Sequence, residues 1–241
     1  MSTDSTLLAA HWAQVRGRVD DACRAAGRDP AGVSILPVSK TFGAGVIRAA
    51  TALGLRRFGE NKVQEIRDKS PLLADCDIRW VMIGHLQTNK VKDVARLVDE
   101  VQSLDRMELA EALHRRLQHE GRAIDVLVQV KTSSEPSKFG LPPAQLPALL
   151  NTLRHFDTLR VRGLMTLATQ STDAAVVRGC FRRLRELRDQ AAQAQGHALP
   201  RLSMGMSGDF ALAIAEGATE VRIGSAIFGS RAAPETADSH V

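Results

Sequence analysis

Leu8, Trp12, Val15, Val19, Ala22 and Ala26 recur at intervals of three and four, with arginines and aspartates between them. That spacing predicts an amphipathic helix over residues 5–27, stopped by Gly27 and Pro30. The period then changes. Val33–Thr41 opens as a run of apolar and β-branched residues between Gly32 and Gly43, too short for a helix, and reads as a buried strand ending on Lys40. Short apolar runs follow at 56–59, 78–83, 101–104, 124–130, 159–164, 199–204 and 219–223, each predicted as a strand. Between them lie helical patterns at 44–53, 62–69, 89–97, 106–119, from Pro143 to Arg154, 173–195 and 208–216, with a short one after Gly224. Gly54 and Gly196 mark helix ends, and Asn89 is the expected cap of its helix.

Eight strands alternating with helices predict parallel β/α units, and eight such units close a barrel. The fold class expected is therefore α/β, a single (β/α)8 TIM-type barrel with an extra N-terminal helix. One domain spans 1–231, flanking helix included, and a frayed Ala/Pro/Ser-rich tail occupies 232–241. An open doubly wound sheet is the rival, but no glycine-rich fingerprint follows the first strand.

Composition narrows the function. Cys23, Cys76 and Cys180 are odd in number and form no CxxC, which fits a reduced cytoplasmic setting without a thiolate metal site. No His, Cys or carboxylate pair has metal spacing, so no metal is expected. No apolar run approaches membrane-spanning length, and no signal-peptide core opens the chain, so no membrane association is expected. The net charge of +5 suits an anionic small ligand as well as a polyanion. Aromatics for base stacking are scarce, nucleic acid is not expected as a partner, and the run Arg178, Arg182, Arg183, Arg185, Arg188 reads as a solvated helix face. There is no tyrosine, which excludes any mechanism needing one from this chain.

In a barrel the chemistry sits at the carboxyl ends of the strands. Those positions hold Lys40, Asn61, His85, the loop Ser203–Asp209 containing Met206 and Ser207, and Arg222-Ile223-Gly224-Ser225. Lys40 reads either as a solvent-seeking strand-end lysine or as a carbonyl-trapping amine, since a desolvated ammonium gives up its proton more readily. The Ser/Gly loops after strands seven and eight read as helix caps or as a phosphate cradle of backbone N–H groups, hydroxyls and helix N-termini. An amine facing a phosphate cradle is what pyridoxal 5′-phosphate (PLP) requires. Arg222 either meets a rim carboxylate or faces the pyridine nitrogen. Asn61 either caps its helix or bonds the cofactor, and His85 is a loop residue or a neighbour of the site.

Pro37-Val38-Ser39-Lys40-Thr41, Phe58-Gly59-Glu60-Asn61-Lys62-Val63-Gln64-Glu65, Ile83 to Lys90, Ser134 to Gly140, Gly163-Leu164-Met165, Leu202 to Ser207 and Val221 to Gly229 together resemble the pyridoxal phosphate homeostasis protein family, from about residue 8 to 231. The resemblance implies a single barrel like the N-terminal domain of alanine racemase, holding PLP as a Schiff base on Lys40, without established turnover. It implies phosphate contacts from Ser207, Gly224 and Ser225 with Ser203 and Met206 nearby, Arg222 at the pyridine nitrogen, and Asn61 and His85 beside the cofactor. Lys131 and Lys62 depart from the residues common there, asparagine and tyrosine, and Lys62 and Lys138 are further amines within reach of an aldehyde. The expected function is PLP holding in vitamin B6 homeostasis, with PLP-dependent apoenzymes as transient partners. The alternative is a racemase-like PLP enzyme. A two-base racemase of this fold resembles a two-domain protein with a second-domain tyrosine, so no enzyme activity is expected here, although one-base chemistry through Lys40 stays open. A monomer is expected, because the racemase-type dimer relies on that second domain.

Overall fold

A computed structural model describes residues 3–196 and 198–229. The proposed tail from Ala232 lies outside the described residues. The strands are β1 (Ser34–Pro37), β2 (Arg57–Glu60), β3 (Arg79–Met82), β4 (Glu100–Leu104), β5 (Ile124–Gln129), β6 (Leu159–Met165), β7 (Arg201–Ser203) and β8 (Glu220–Ile223). The helices are α1 (Thr3–Ala25), α2 (Ala44–Ala52), α3 (Val63–Lys69), α4 (Val91–Leu97), α5 (Met107–Glu120), α6 (Leu146–Leu153), α7 (Ala174–Gln195), α8 (Phe210–Ala215) and α9 (Ser225–Phe228). Every strand pairing is parallel, in the order β1-β8-β7-β6-β5-β4-β3-β2.

The ring closes between β1 and β2 through a single parallel bridge, Val38 to Gly59, with Ser39 N–H donating to the Gly59 carbonyl at 3.0 Å. Side chains confirm the closure. Gln102 on β4 donates to Glu220 on β8 at 2.5 Å, although these strands are not neighbours, so the contact crosses the barrel interior. This is the (β/α)8 barrel expected, with α1 as the extra helix.

Helix α1 lies against α2, α8 and α9. Of the stripe read from the sequence, Leu8, Val15 and Val19 are buried and Trp12, Ala22 and Ala26 partly buried against the core, with Cys23 buried beside them, which is the stripe's reason for forming a helix there. Gly27 follows at φ +66°, a conformation that ends the helix without the steric cost a side chain would incur. Asp173 caps α7 by accepting from Ala175 N–H. Asn89, by contrast, is not a cap: it sits inside a 3-10 turn, Thr88–Lys90, and Lys90 occupies the capping position of α4. Among the described residues no helix is long and apolar enough to cross a membrane, and no cluster of His, Cys, Asp and Glu is arranged to hold a metal ion.

The arginines of α7 lie on a largely solvent-facing side of the helix, and three of them also share one buried partner. Arg178, Arg182 and Arg185 converge on the carboxylate of Glu216, at 3.0, 3.1 and 3.2 Å. Glu216 is only 3 % exposed. Burial pushes its pKa up, but the hydrogen bonds from Arg182 and Arg178 outweigh this and hold it below its ordinary value. The run therefore clamps α7 to the end of α8.

Candidate functional site

A cavity of about 390 Å³ opens at the carboxyl ends of the strands, within the range of small-molecule sites. Seven of the nine candidate residues line it: Lys40 after β1, Asn61 after β2, Met206 and Ser207 after β7, Arg222 on β8, and Gly224 and Ser225 after it. Val38, Phe42, Ile83, Gly84 and Leu167 supply most of the apolar wall, and Lys138 reaches in from the loop after β5. A larger groove of about 810 Å³ lies between α1, α2 and α9, but it is walled mainly by Leu7, Leu8, Val46, Ala49 and Ile227 and holds none of the strand-end groups.

The amine is unengaged. Among the described residues Lys40 has no hydrogen bond or ion pair, whereas Lys138 donates to the Ala168 carbonyl at 3.2 Å. Lys69, the buried lysine behind the Lys40 turn, is fully committed to Ser39 O, Glu60 Oε1 and Glu65 Oε2 at 3.1, 2.7 and 2.8 Å. Lys62 faces a neighbouring recess, together with His85.

Arg222 forms the far wall. It is 4 % exposed, donates to Ser203 O, Ser203 Oγ and Thr166 O, each at 2.8 Å, and meets no carboxylate. Burial lowers its pKa to about 10, with Glu220 and Asp209 opposing from a distance. At neutral pH the guanidinium is still a cation, buried and hydrogen-bonded only to neutral acceptors. Such a group favours a ligand that brings negative charge or a lone pair.

The hydroxyls of Ser207 and Ser225 have no partner among the described residues. The expected helix-dipole contribution is weak, because α8 spans six residues and α9 four. Met206 N–H is also already taken by Asp209 Oδ1 at 2.5 Å. The anion-receiving character thus comes from free hydroxyls and the nearby cations.

Asn61 caps nothing: Lys62 holds the capping position of α3, and Asn61 Oδ1 is buried without a partner. It is held by close packing of the backbone. A Cβ on Gly84 would stand 2.1 Å from the Asn61 carbonyl oxygen, so only glycine lets the end of β3 pass. Two candidates lie off the cavity wall. Ser203 is fully buried and donates to Gln102 Oε1 at 2.7 Å while accepting from Arg222, which makes it a support of the arginine. The His85 ring stacks on Phe139 at 3.9 Å, with Nδ1 3.4 Å from Asp105.

Behind Lys40 lies a network that the sequence reading did not assign, although Glu60 is itself one of the strand-end positions. Glu60 is fully buried and accepts from both Ser39 Oγ and Lys69 at 2.7 Å, and its Oε2 has no partner. Burial raises its pKa, against the hydrogen bonds from Lys69 and Ser39. Glu60 at the end of β2 and Glu65 and Lys69 within α3 are visible in the sequence, but their meeting at the Lys40 turn is not.

A parallel eight-stranded ring with a free lysine after β1 and a buried arginine on the neighbouring β8, both lining one cavity, defines a barrel with its candidate site at the strand ends. The family described as "Alanine racemase, N-terminal domain" matches residues 13–232. The chain is 43% identical over 226 residues to the pyridoxal phosphate homeostasis protein of Pseudomonas aeruginosa, covering 94% of this chain and 96% of that one. It is 43% identical over 218 residues to the protein of the same name from Aquifex aeolicus, covering 90% and 96%. PipY of Synechococcus elongatus, solved with PLP bound, superposes with a TM-score of 0.81 at 37% identity, covering 92% of this chain and 100% of that one. The chain belongs to the pyridoxal phosphate homeostasis protein family.

Proposed function

We propose that this protein binds PLP in the strand-end cavity, covalently through Lys40, and keeps the reactive aldehyde sequestered until an apoenzyme takes it. The observation that carries this reading is the pairing, in one cavity, of an amine without a partner and a buried cation without a carboxylate. PLP bound in a relative of 37% identity supports it. The residues fit the group: Ser207 and Ser225 have free hydroxyls for its phosphate, backed by Gly224 and Met206, and Asn61 has a buried acceptor in need of a donor.

PLP supplies an aldehyde that condenses with amines and a ring that draws electrons from what is attached to it. Lys40 would hold the group through Nζ, which has no partner among the described residues to give up first. Arg222 offers N–H donors and cannot accept a proton, so a ring nitrogen facing it stays unprotonated and the ring remains a weak electron sink. The absence of tyrosine removes the partner base of a two-base racemase.

Borohydride reduction followed by peptide mapping tests the assignment. The wild type should retain one PLP, on the peptide containing Lys40, and Lys40→Ala should retain none. A full reduced adduct on the variant refutes the assignment, and stereospecific amino-acid racemisation above the free-PLP background moves the protein to the racemase-like reading. We further propose a cytoplasmic monomer that meets PLP-dependent apoenzymes only transiently; sedimentation of the loaded protein as a stable dimer would contradict the first part.

A further inference from the structure

The residue after Lys40 is in an unusual conformation. Thr41 has φ +72°, and apart from glycines it shares a positive φ only with Asp77 among the described residues. For a β-branched side chain this is a strained, left-handed backbone that persists only where surroundings impose it. Those surroundings are visible. Thr41 N–H donates to Glu65 Oε2 at 2.6 Å. The same oxygen accepts from Lys69 Nζ, which also binds the Ser39 carbonyl and Glu60 Oε1. Glu60 in turn accepts from the Ser39 hydroxyl. Ser39 is therefore tied to the Lys69 ammonium directly and Thr41 through Glu65, beside the Phe42 N–H to Ser39 carbonyl bond of 3.1 Å that closes the turn, while the Lys40 side chain is tied to nothing among the described residues.

We infer that Glu65, with Lys69 and Glu60, is a positioning brace that holds the left-handed turn at Thr41 and so aims the Lys40 amine into the cavity. The inference rests on the proposed covalent capture of PLP by Lys40 and adds a role for groups that do not line the cavity. Glu65 forms no bond to the ligand. Without it the Thr41 turn relaxes toward negative φ, and the lysine that precedes it swings with the backbone. Capture slows because misplacing the attacking atom costs rate steeply, while the anion-receiving side of the cavity is unchanged.

The test compares the wild type with Glu65→Ala, Glu65→Gln and the double variant Glu65→Ala/Thr41→Gly. Two probes are used: PLP, and 4′-deoxypyridoxine 5′-phosphate, which lacks the aldehyde and cannot condense. Glu65→Ala should capture PLP about tenfold more slowly and bind the deoxy analogue with wild-type affinity. Glu65→Gln keeps an acceptor for Thr41 but loses the ion pair to Lys69, and should slow capture by about threefold. Glycine adopts positive φ freely, so the double variant should return capture to within about twofold of wild type. Unchanged capture by Glu65→Ala, an equal loss of analogue affinity, or failure of the glycine rescue overturns the brace. Should Glu65→Ala not fold, unchanged capture by Glu65→Gln overturns it alone. If the wild type captures no PLP, the proposed function itself falls first, and the brace with it.

Discussion

The two ends of this barrel use the same kinds of charged residue in opposite ways. At the amino ends of the strands, Arg57 and Arg201 alternate with Glu100 and Glu220 in a ring of four, with nitrogen–oxygen distances of 2.8 to 3.0 Å. Each carboxylate meets two guanidiniums, and Gln102 donates to both carboxylates from above. At the carboxyl ends, Lys40 and Arg222 face a cavity with no carboxylate on its wall. The first arrangement is electrostatically closed and holds the strands in place. The second is left open, and its unbalanced charge is available to a ligand. A hydrogen-bonded path joins the ends, from Arg222 through Ser203 and Gln102 to Glu220, so the cavity-lining arginine stands on the closed ring.

Breaking the closed end should therefore cost stability and breaking the open end should cost binding. The largest effect is expected at Glu220. Glu220→Gln removes one partner of two buried ion pairs and should lower unfolding free energy by about 3–5 kcal/mol in urea titrations. Next comes Ser207→Asp, which brings like charge to the phosphate side and should weaken PLP binding by at least about tenfold in equilibrium dialysis, with the urea midpoint nearly unchanged. Should Ser207→Asp unfold the protein, or Glu220→Gln leave stability intact, the division between the ends is wrong.

The pH dependence sharpens the contrast. Burial raises the Glu220 pKa, but the charges of Arg201 and Arg57 outweigh it and hold the folded value below the ordinary 4.5. A carboxylate with a depressed folded pKa contributes stability above its unfolded pKa and loses it as pH falls through the folded one. The wild type should lose stability below about pH 4.5 more steeply than Glu220→Gln, as followed by thermal melting. The smallest effect is expected at the other arginine clamp, where Glu216→Gln should cost only about 1 kcal/mol, because the arginines on α7 are partly solvated.

Much of the architecture was legible because the period of the sequence switches cleanly: three-four spacing in α1, then short apolar runs such as Val126–Val130 that are buried on all sides. The strand-end positions of Lys40, Asn61, Ser207 and Arg222 followed from that count alone. What was not legible is pairing across elements. Nothing in local sequence says that Arg178, Arg182 and Arg185 share Glu216, more than 30 positions away, and a row of arginines on a helix looks the same whether solvated or clamped. Ser203 lies next to the cavity without lining it, for a related reason. Residues of β7 alternate between the interior and the helices, and the serine faces inward, under the cavity and not into it. The brace behind Lys40 was hidden because it depends on the backbone turn of Thr41, which side-chain patterns do not encode.

The β1–β2 join has a consequence for how loading can be observed. Where most seams pair two or more residues, this one is fastened at Val38 and Gly59 by the Ser39 amide, immediately before the lysine. Local opening concentrates where few bonds hold two strands, so the Ser39 proton should exchange with deuterated water fastest among the barrel's inter-strand amides. A molecule fastened to the next residue would stitch that gap, and slowed exchange at one backbone position becomes an optical-label-free gauge of occupancy.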